Sequence, residues 1–134
     1  MDYIIVTGGA GFIGTNLIRS LLKLKEYKII SIDNYFTGKK SNHIKAKNLI
    51  YLRGNTINIS KILGHIKNQI SAVFHFAEFS RIAQSFDNIN RCFQSNLHGS
   101  YEVVNFCMVN KIKIIYSATS ASLGNKGLDK NLSP

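Results

Sequence analysis

Within TGGAGFIG (7–14), glycines stand at a spacing that serves one kind of chemistry, the close approach of backbone to phosphate. Gly9, Gly11 and Gly14 satisfy the G-x-G-x-x-G dinucleotide fingerprint, and Gly8, Gly11 and Gly14 a close variant of it. Such a turn lets the backbone reach a pyrophosphate with no Cβ in the way, and the following helix aims its free N–H groups and positive dipole end at the phosphates. The motif follows the apolar run YIIVT (3–7) and precedes an amphipathic stretch, the context in which the pattern is informative. Asp33 closes the next apolar run, KIISID (28–33). A carboxylate there accepts hydrogen bonds from both hydroxyls of an adenosine ribose and repels a 2′-phosphate, which favours NAD over NADP.

The elements that position these residues are legible from periodicity. Five short apolar runs recur, YIIVT (3–7), KIISID (28–33), LIYLRG (49–54), AVFHFA (72–77) and KIIYSA (113–118), and their length and near-continuous apolar character predict strands buried on both faces. Between the first two, Phe12, Ile13, Leu17, Ile18, Leu21, Leu22 and Leu24 mark one helix face. Weaker helical patterns cover 57–70 and 90–110. Sequential strands joined by right-handed helical crossovers predict an α/β Rossmann-type fold, a doubly wound parallel sheet of order 3-2-1-4-5.

A length of 134 residues suits one domain. The 45% apolar content excludes a disordered chain. The net charge of +10 comes from lysines spread along the sequence. The densest group, KKSNHIKAK (39–47), has no interleaved aromatics and matches no nucleic-acid-binding motif, so it reads as solvated surface. Cys92 and Cys107 lie on an apolar helical pattern and read as packing residues, with no metal site expected. MDYIIVTGG lacks a basic leader and no apolar run approaches a membrane span, so a cytoplasmic protein is expected. His75 and His98 read as packing or surface residues.

The glycine motif, DNYFTG (33–38), HFA (75–77), N-x-x-G-S (96–100) and YSATSASLG (116–124), in that order and spacing, resemble the extended short-chain dehydrogenase/reductases. The likeness is greatest to the NAD-dependent epimerase/dehydratase members of the UDP-glucose 4-epimerase type. It implies NAD as cofactor, a nucleotide-sugar substrate, a possible homodimer, and neither nucleic acid nor membrane as partner. By this resemblance Gly8, Gly9, Gly11, Phe12, Ile13 and Gly14 hold the pyrophosphate. Asp33 and Asn34 contact the adenosine ribose, and Thr37 and Gly38 close over the phosphate side. Asn55 and Thr56, in RGNTI, stand where the family usually has Gly-Asp followed by an apolar residue lying against adenine, and Asn for Asp weakens recognition of the adenine amino group. Phe76, Ala77 and Glu78 line the cofactor, although Glu78 is a departure whose carboxylate is unfavourable beside a pyrophosphate unless it is turned away. Ser80 replaces a frequent lysine near the nicotinamide ribose, with Arg81 next to it. Asn96 positions the nicotinamide side, Ser117 lines the cofactor, and Thr119 is the catalytic Ser/Thr that hydrogen-bonds the reacting sugar hydroxyl.

The implied reaction moves a hydride from sugar C4 to NAD and back, with a Tyr-x-x-x-Lys pair as general base. Of the six tyrosines only Tyr35 has a lysine four residues later, Lys39, and that match overlaps DNYFTG, which the resemblance places at the ribose and phosphate side, so the catalytic pair is not identified in these residues. LSP (132–134) stands where the tyrosine commonly follows in relatives. The expectation is therefore an incomplete NAD-binding domain over 1–134, inactive alone and exposing apolar surface and a sheet edge that favour self-association. A nucleotide-binding module completed by a partner chain, and a basic nucleic-acid-binding protein on the same scaffold, stay open as alternatives.

Overall fold

The computed structural model describes residues 2–118. Five strands, β1 (Tyr3–Thr7), β2 (Lys28–Asp33), β3 (Leu49–Arg53), β4 (Ile70–His75) and β5 (Lys113–Tyr116), form one sheet of order β3-β2-β1-β4-β5. All four pairings are parallel. The order is the expected one. β4 begins two residues before the apolar run suggested, because Ile70 pairs with Tyr3 across a register shift. It ends at His75, and the Phe76 N–H makes a last bond to the Thr7 carbonyl at 3.2 Å before the chain turns away from the sheet.

Helices cover both faces. On one face, Ile18 and Leu21 of α1 (Phe12–Leu21) pack on Ile4, Val6 and Ile29. On the other, Ile59 and Leu63 of α2 (Ile59–Leu63) join Val103, Phe106 and Cys107 against Ile5, Ile30, Ile32 and Val73. The expectation of strands buried on both faces holds for the central strands and fails at the edges. β3 and β5 have no fully buried residue, since each lacks a neighbouring strand on one side.

The two weaker helical patterns are also redrawn. The stretch 57–70 is broken into a 3-10 turn at Thr56–Asn58, α2, and a second 3-10 segment at Gly64–Gln69, with Gly64 standing where a continuous helix needs a better helix former. Helical structure in the other stretch starts at Ile82, eight residues early, as α3 (Ile82–Asp87), α4 (Ile89–Phe93), a π-helical turn (Gln94–Gly99) and α5 (Ser100–Val109). The early turns were obscured because their apolar residues, Ile82, Phe86 and Ile89, face solvent instead of the core. The π turn brings buried Gly99 against Thr56, whose hydroxyl occupies the space a Cβ would need.

One polar seam crosses the apolar body. The Phe76 N–H donates to Thr7 Oγ1 at 3.2 Å, Thr7 Oγ1 lies 2.7 Å from His75 Nδ1, and His75 Nε2 lies 3.0 Å from Ser100 Oγ. Thr7 and His75 are wholly buried, and burial pushes the His75 pKa below its ordinary value of 6.5. A neutral ring that accepts from Thr7 at Nδ1 and donates from Nε2 to Ser100 satisfies every group. His75 is thus a satisfied core histidine, as expected. Burial likewise raises the Cys107 thiol to about 11, as befits a packing residue.

Two predictions follow from these placements. Phe106→Ala, at 3% exposure, should cost about 3–5 kcal/mol in urea denaturation. Val109→Ala, three residues on and 69% exposed, should stay within about 0.5 kcal/mol. For His75, the unfolded chain takes up a proton near the ordinary value while the folded chain resists it, so stability falls as pH drops below about 6.5. His75→Gln should flatten that part of the stability–pH curve; an unchanged slope would remove His75 as its source.

Candidate functional site

The carboxyl ends of β1, β2, β4 and β5 open on a cleft of about 390 Å³, at the point where the strand order reverses between β1 and β4. Its floor is the glycine turn. Gly8 has φ +73°, donates its N–H to the Ile32 carbonyl at 2.8 Å, and leaves no room for a Cβ beside the Phe76 carbonyl. At Gly14 a Cβ would run into the Gly8 carbonyl, so only glycine lets the first turn of α1 sit so close to β1. Gly11 N-caps α1 without a side-chain cap, and the first turn carries no acid. The first backbone donors of α1, at Phe12, Ile13 and Gly14, thus border the cleft with the positive end of the helix dipole behind them.

At the end of β2, Asp33 is only 7% exposed, and each of its oxygens takes one backbone N–H. Its Oδ2 accepts from the Ala10 N–H at 3.0 Å and its Oδ1 from the Tyr35 N–H at 2.8 Å, which ties the glycine turn to the loop after β2. Tyr35 takes φ +61° to make that bond, and its hydroxyl lies 2.9 Å from His43 Nε2. Burial and the Asp33 charge together raise the Tyr35 pKa. The Asn34 side-chain oxygen Oδ1 accepts from the Phe36 N–H at 2.9 Å, and Phe36 stacks on Phe79 with ring centroids 5.4 Å apart. The Arg91 guanidinium lies 4.3 Å from the Phe36 ring centre, so an aromatic contact joins the two walls of the cleft under a cation.

The wall after β4 is held by Asn96, whose amide accepts from the Phe79 N–H at 2.6 Å and donates to the Phe79 carbonyl at 3.0 Å. Glu78 lines the cleft but turns one oxygen back toward β5 and α5. Its Oε1 accepts from Ser100 Oγ at 3.1 Å and from the Tyr116 hydroxyl, extending the polar seam from His75 to the cleft. That hydrogen bond, with burial, raises the Tyr116 pKa.

Of the expected site residues, Gly8, Gly11, Phe12, Ile13, Gly14, Asp33, Asn34, Thr37, Thr56, Phe76, Ala77, Glu78, Ser80 and Ser117 line this one cleft. Four do not. Gly9 packs against Ser31 and Ile18 beneath the turn, and Gly38 packs against the Asp33 carboxylate. Asn55 uses its side-chain oxygen to cap Ile57, at 3.3 Å, and Asn96 is spent on Phe79. These act by supporting the walls. Thr119 lies outside the described residues. Arg81 lines the cleft beside Ser80, and Ile32, Phe36, Gly54, Phe79 and Ser95, absent from the expected set, also line it. Phe36 and Phe79 were findable as aromatics in the loops that follow the second and fourth strands. Ser95 left no comparable signal. His98 is exposed with its ring edge-on to Phe93, as a surface residue should be.

The arrangement suits a dinucleotide. It offers uncapped helix donors for a pyrophosphate, a carboxylate at the second strand for a ribose, and a wall of small and aromatic residues on the far side. Among the described residues no group of three or more metal-binding side chains comes together, and no helix is long and apolar enough to cross a membrane.

Known proteins share this frame. The dTDP-D-glucose 4,6-dehydratase of Dictyostelium discoideum is 31% identical over 96% of this chain, which spans 31% of that protein. The UDP-N-acetylglucosamine 4-epimerase of Methanobrevibacter ruminantium, solved with UDP-N-acetylmuramic acid, superposes with TM-score 0.82 at 29% identity over 98% of this chain and 42% of its own. The Bordetella bronchiseptica enzyme WbmG, solved with NAD and UDP, gives TM-score 0.79 at 25% identity, covering 91% of this chain and 39% of its own. The chain thus spans about two fifths or less of these relatives. Residues 4–132, nearly the full sequence and with it the glycine turn and Asp33, match the family model described as NAD dependent epimerase/dehydratase family, and the chain belongs to that family.

Proposed function

We propose that residues 1–134 form the NAD-binding domain of a cytoplasmic sugar-nucleotide epimerase or dehydratase of the UDP-glucose 4-epimerase type. The observation that supports it most is the joining of the uncapped α1 donors and the Asp33 carboxylate in one cleft. In this reading the N–H groups at Phe12, Ile13 and Gly14 receive the pyrophosphate, while Asp33, already anchored by Ala10 and Tyr35, offers its remaining lone pairs to the adenosine ribose. Asn34 and Thr37 border the ribose and phosphate side, and Thr56 the adenine side. Phe76, Ala77 and Ser80 line the redox half with Ser117, and Thr119 meets the reacting sugar hydroxyl.

Bound NAD supplies a hydride acceptor. This chain's residues hold it, fix its orientation and exclude water through the Phe36–Phe79 contact. The one Tyr-x-x-x-Lys match in the 134 residues, Tyr35 to Lys39, lies in the loop after β2 at the adenosine end, with the Tyr35 hydroxyl on His43, so it is no general base for the redox half and the isolated chain binds the dinucleotide without turning over a sugar.

A second copy of the chain is the partner this reading includes. Ile82, Phe86, Ile89, Phe93, Leu97, Tyr101, Val104 and Met108 are all exposed and recur every three or four residues along α3 to α5. The series is close to symmetric about Leu97. An antiparallel isologous pairing therefore sets Phe93 against Tyr101, Phe86 against Met108 and Arg91 near Glu102 of the other copy.

By calorimetry, the chain should bind NAD⁺ at least about tenfold more tightly than NADP⁺, because a 2′-phosphate meets the Asp33 charge. Asp33→Asn should erase most of that preference. Absence of NAD⁺ binding by folded protein would refute the reading. In sedimentation, the chain should run as a dimer that Leu97→Asp converts to monomer; a monomeric parent chain would exclude the pairing.

A further inference from the structure

We propose that Glu78 makes the site selective for the oxidised, cationic form of the dinucleotide over the reduced, neutral form. The inference rests on the NAD-binding reading above and concerns one residue, a carboxylate in the wall of a cleft meant for a polyanion.

The position of Glu78 follows from the direction of the cleft. Asp33 at the end of β2 marks the adenosine side and the α1 donors mark the pyrophosphate, so the redox base lies over the ends of β4 and β5. Glu78 follows β4 directly and is bonded to Tyr116 at the end of β5. The Ser100 and Tyr116 hydroxyls both address Oε1, while Oε2 has no hydrogen-bond partner among the described residues. The side chain is thus pinned by one oxygen, which leaves the other uncommitted on a residue that lines the cleft. Ser100 is itself oriented by His75, which Thr7 fixes, so the chain of bonds from the buried core holds the carboxylate at β5, away from the α1 turn.

A fixed negative charge there has opposite consequences for the two ends of the ligand. Turned from the α1 donors, it leaves the pyrophosphate site to the helix dipole. Facing the redox base, it attracts the positive ring of NAD⁺ and has no such attraction for the uncharged ring of NADH.

The thermodynamic result matches a reaction without net redox change. In that cycle the sugar hydroxyl would give its proton to a general base as the hydride leaves the same carbon with its electron pair for the nicotinamide, and both would return to the sugar, so no net oxidation results. A site that binds NAD⁺ more tightly than NADH makes the bound cofactor a weaker oxidant and favours the return. A tenfold ratio of affinities corresponds to about 30 mV for this two-electron couple.

The test measures dissociation constants of NAD⁺, NADH and ADP-ribose for the parent chain and for Glu78→Gln, whose amide oxygen can still accept from Ser100 and Tyr116. The parent should prefer NAD⁺ over NADH by about three- to tenfold, the range for a partly solvated charge pair. Glu78→Gln should bring the two near parity while leaving ADP-ribose, which lacks the ring, unchanged. A parent chain that binds NADH as tightly as NAD⁺, or a variant that keeps the parent ratio, would overturn the proposal. The parent's ratio decides the matter even if the variant fails to fold. Failure of all three ligands to bind folded parent chain would instead overturn the NAD-binding reading itself.

Discussion

The two hydrogen bonds of the Asp33 carboxylate hold the site together. One oxygen takes the Ala10 N–H inside the glycine turn and the other takes the Tyr35 N–H in the loop after β2. Removing either partner leaves a nearly buried charge short of a donor, which is costly. The turn, the first donors of α1 and the adjoining loop therefore behave as one frame. Around it, the Ala10 carbonyl accepts from Asn42 Nδ2 at 2.8 Å and from the Lys39 N–H at 3.2 Å, so the same short turn also gathers in the segment beyond Gly38.

The other half of the cleft is built differently. Among the described residues, the walls after β4 and β5 contain no glycine turn, and their geometry comes from side chains that reach across the fold. Asn96 clamps Phe79 from the π turn, and Ser100 and Tyr116 hold Glu78. Buried His75 links this group to Thr7 at the base of the glycine turn. The two halves of the site are thus coupled through a neutral histidine in the core, with hydroxyl groups passing the order from one strand end to the next.

Much of this was legible in the residues. Period and length located the strands, since central parallel strands must be apolar on both faces, and the glycine spacing located the turn because no other residue fits its contacts. Edge strands were overread as fully buried, for the run of apolar residues in LIYLRG looks the same whether or not a further strand lies beside it. Long-range roles were hidden as well. Asn55 and Asn96 have the residue types of ligand contacts, yet one caps a turn and the other clamps a loop, and only the tertiary fold decides between such uses of an amide. Glu78 was recognisable as an oddity. Its partners, separated by twenty-two and thirty-eight positions in sequence, were not.

The most direct test of the account is an amide-resolved NMR titration of the isotopically labelled chain with NAD⁺. The account predicts the largest shifts at Gly11 to Gly14, at Asp33 to Thr37 and along Phe76 to Ser80, in one saturable process. Shifts confined to another surface, or a saturable change that leaves the Phe12, Ile13 and Asp33 amides unmoved, would contradict it.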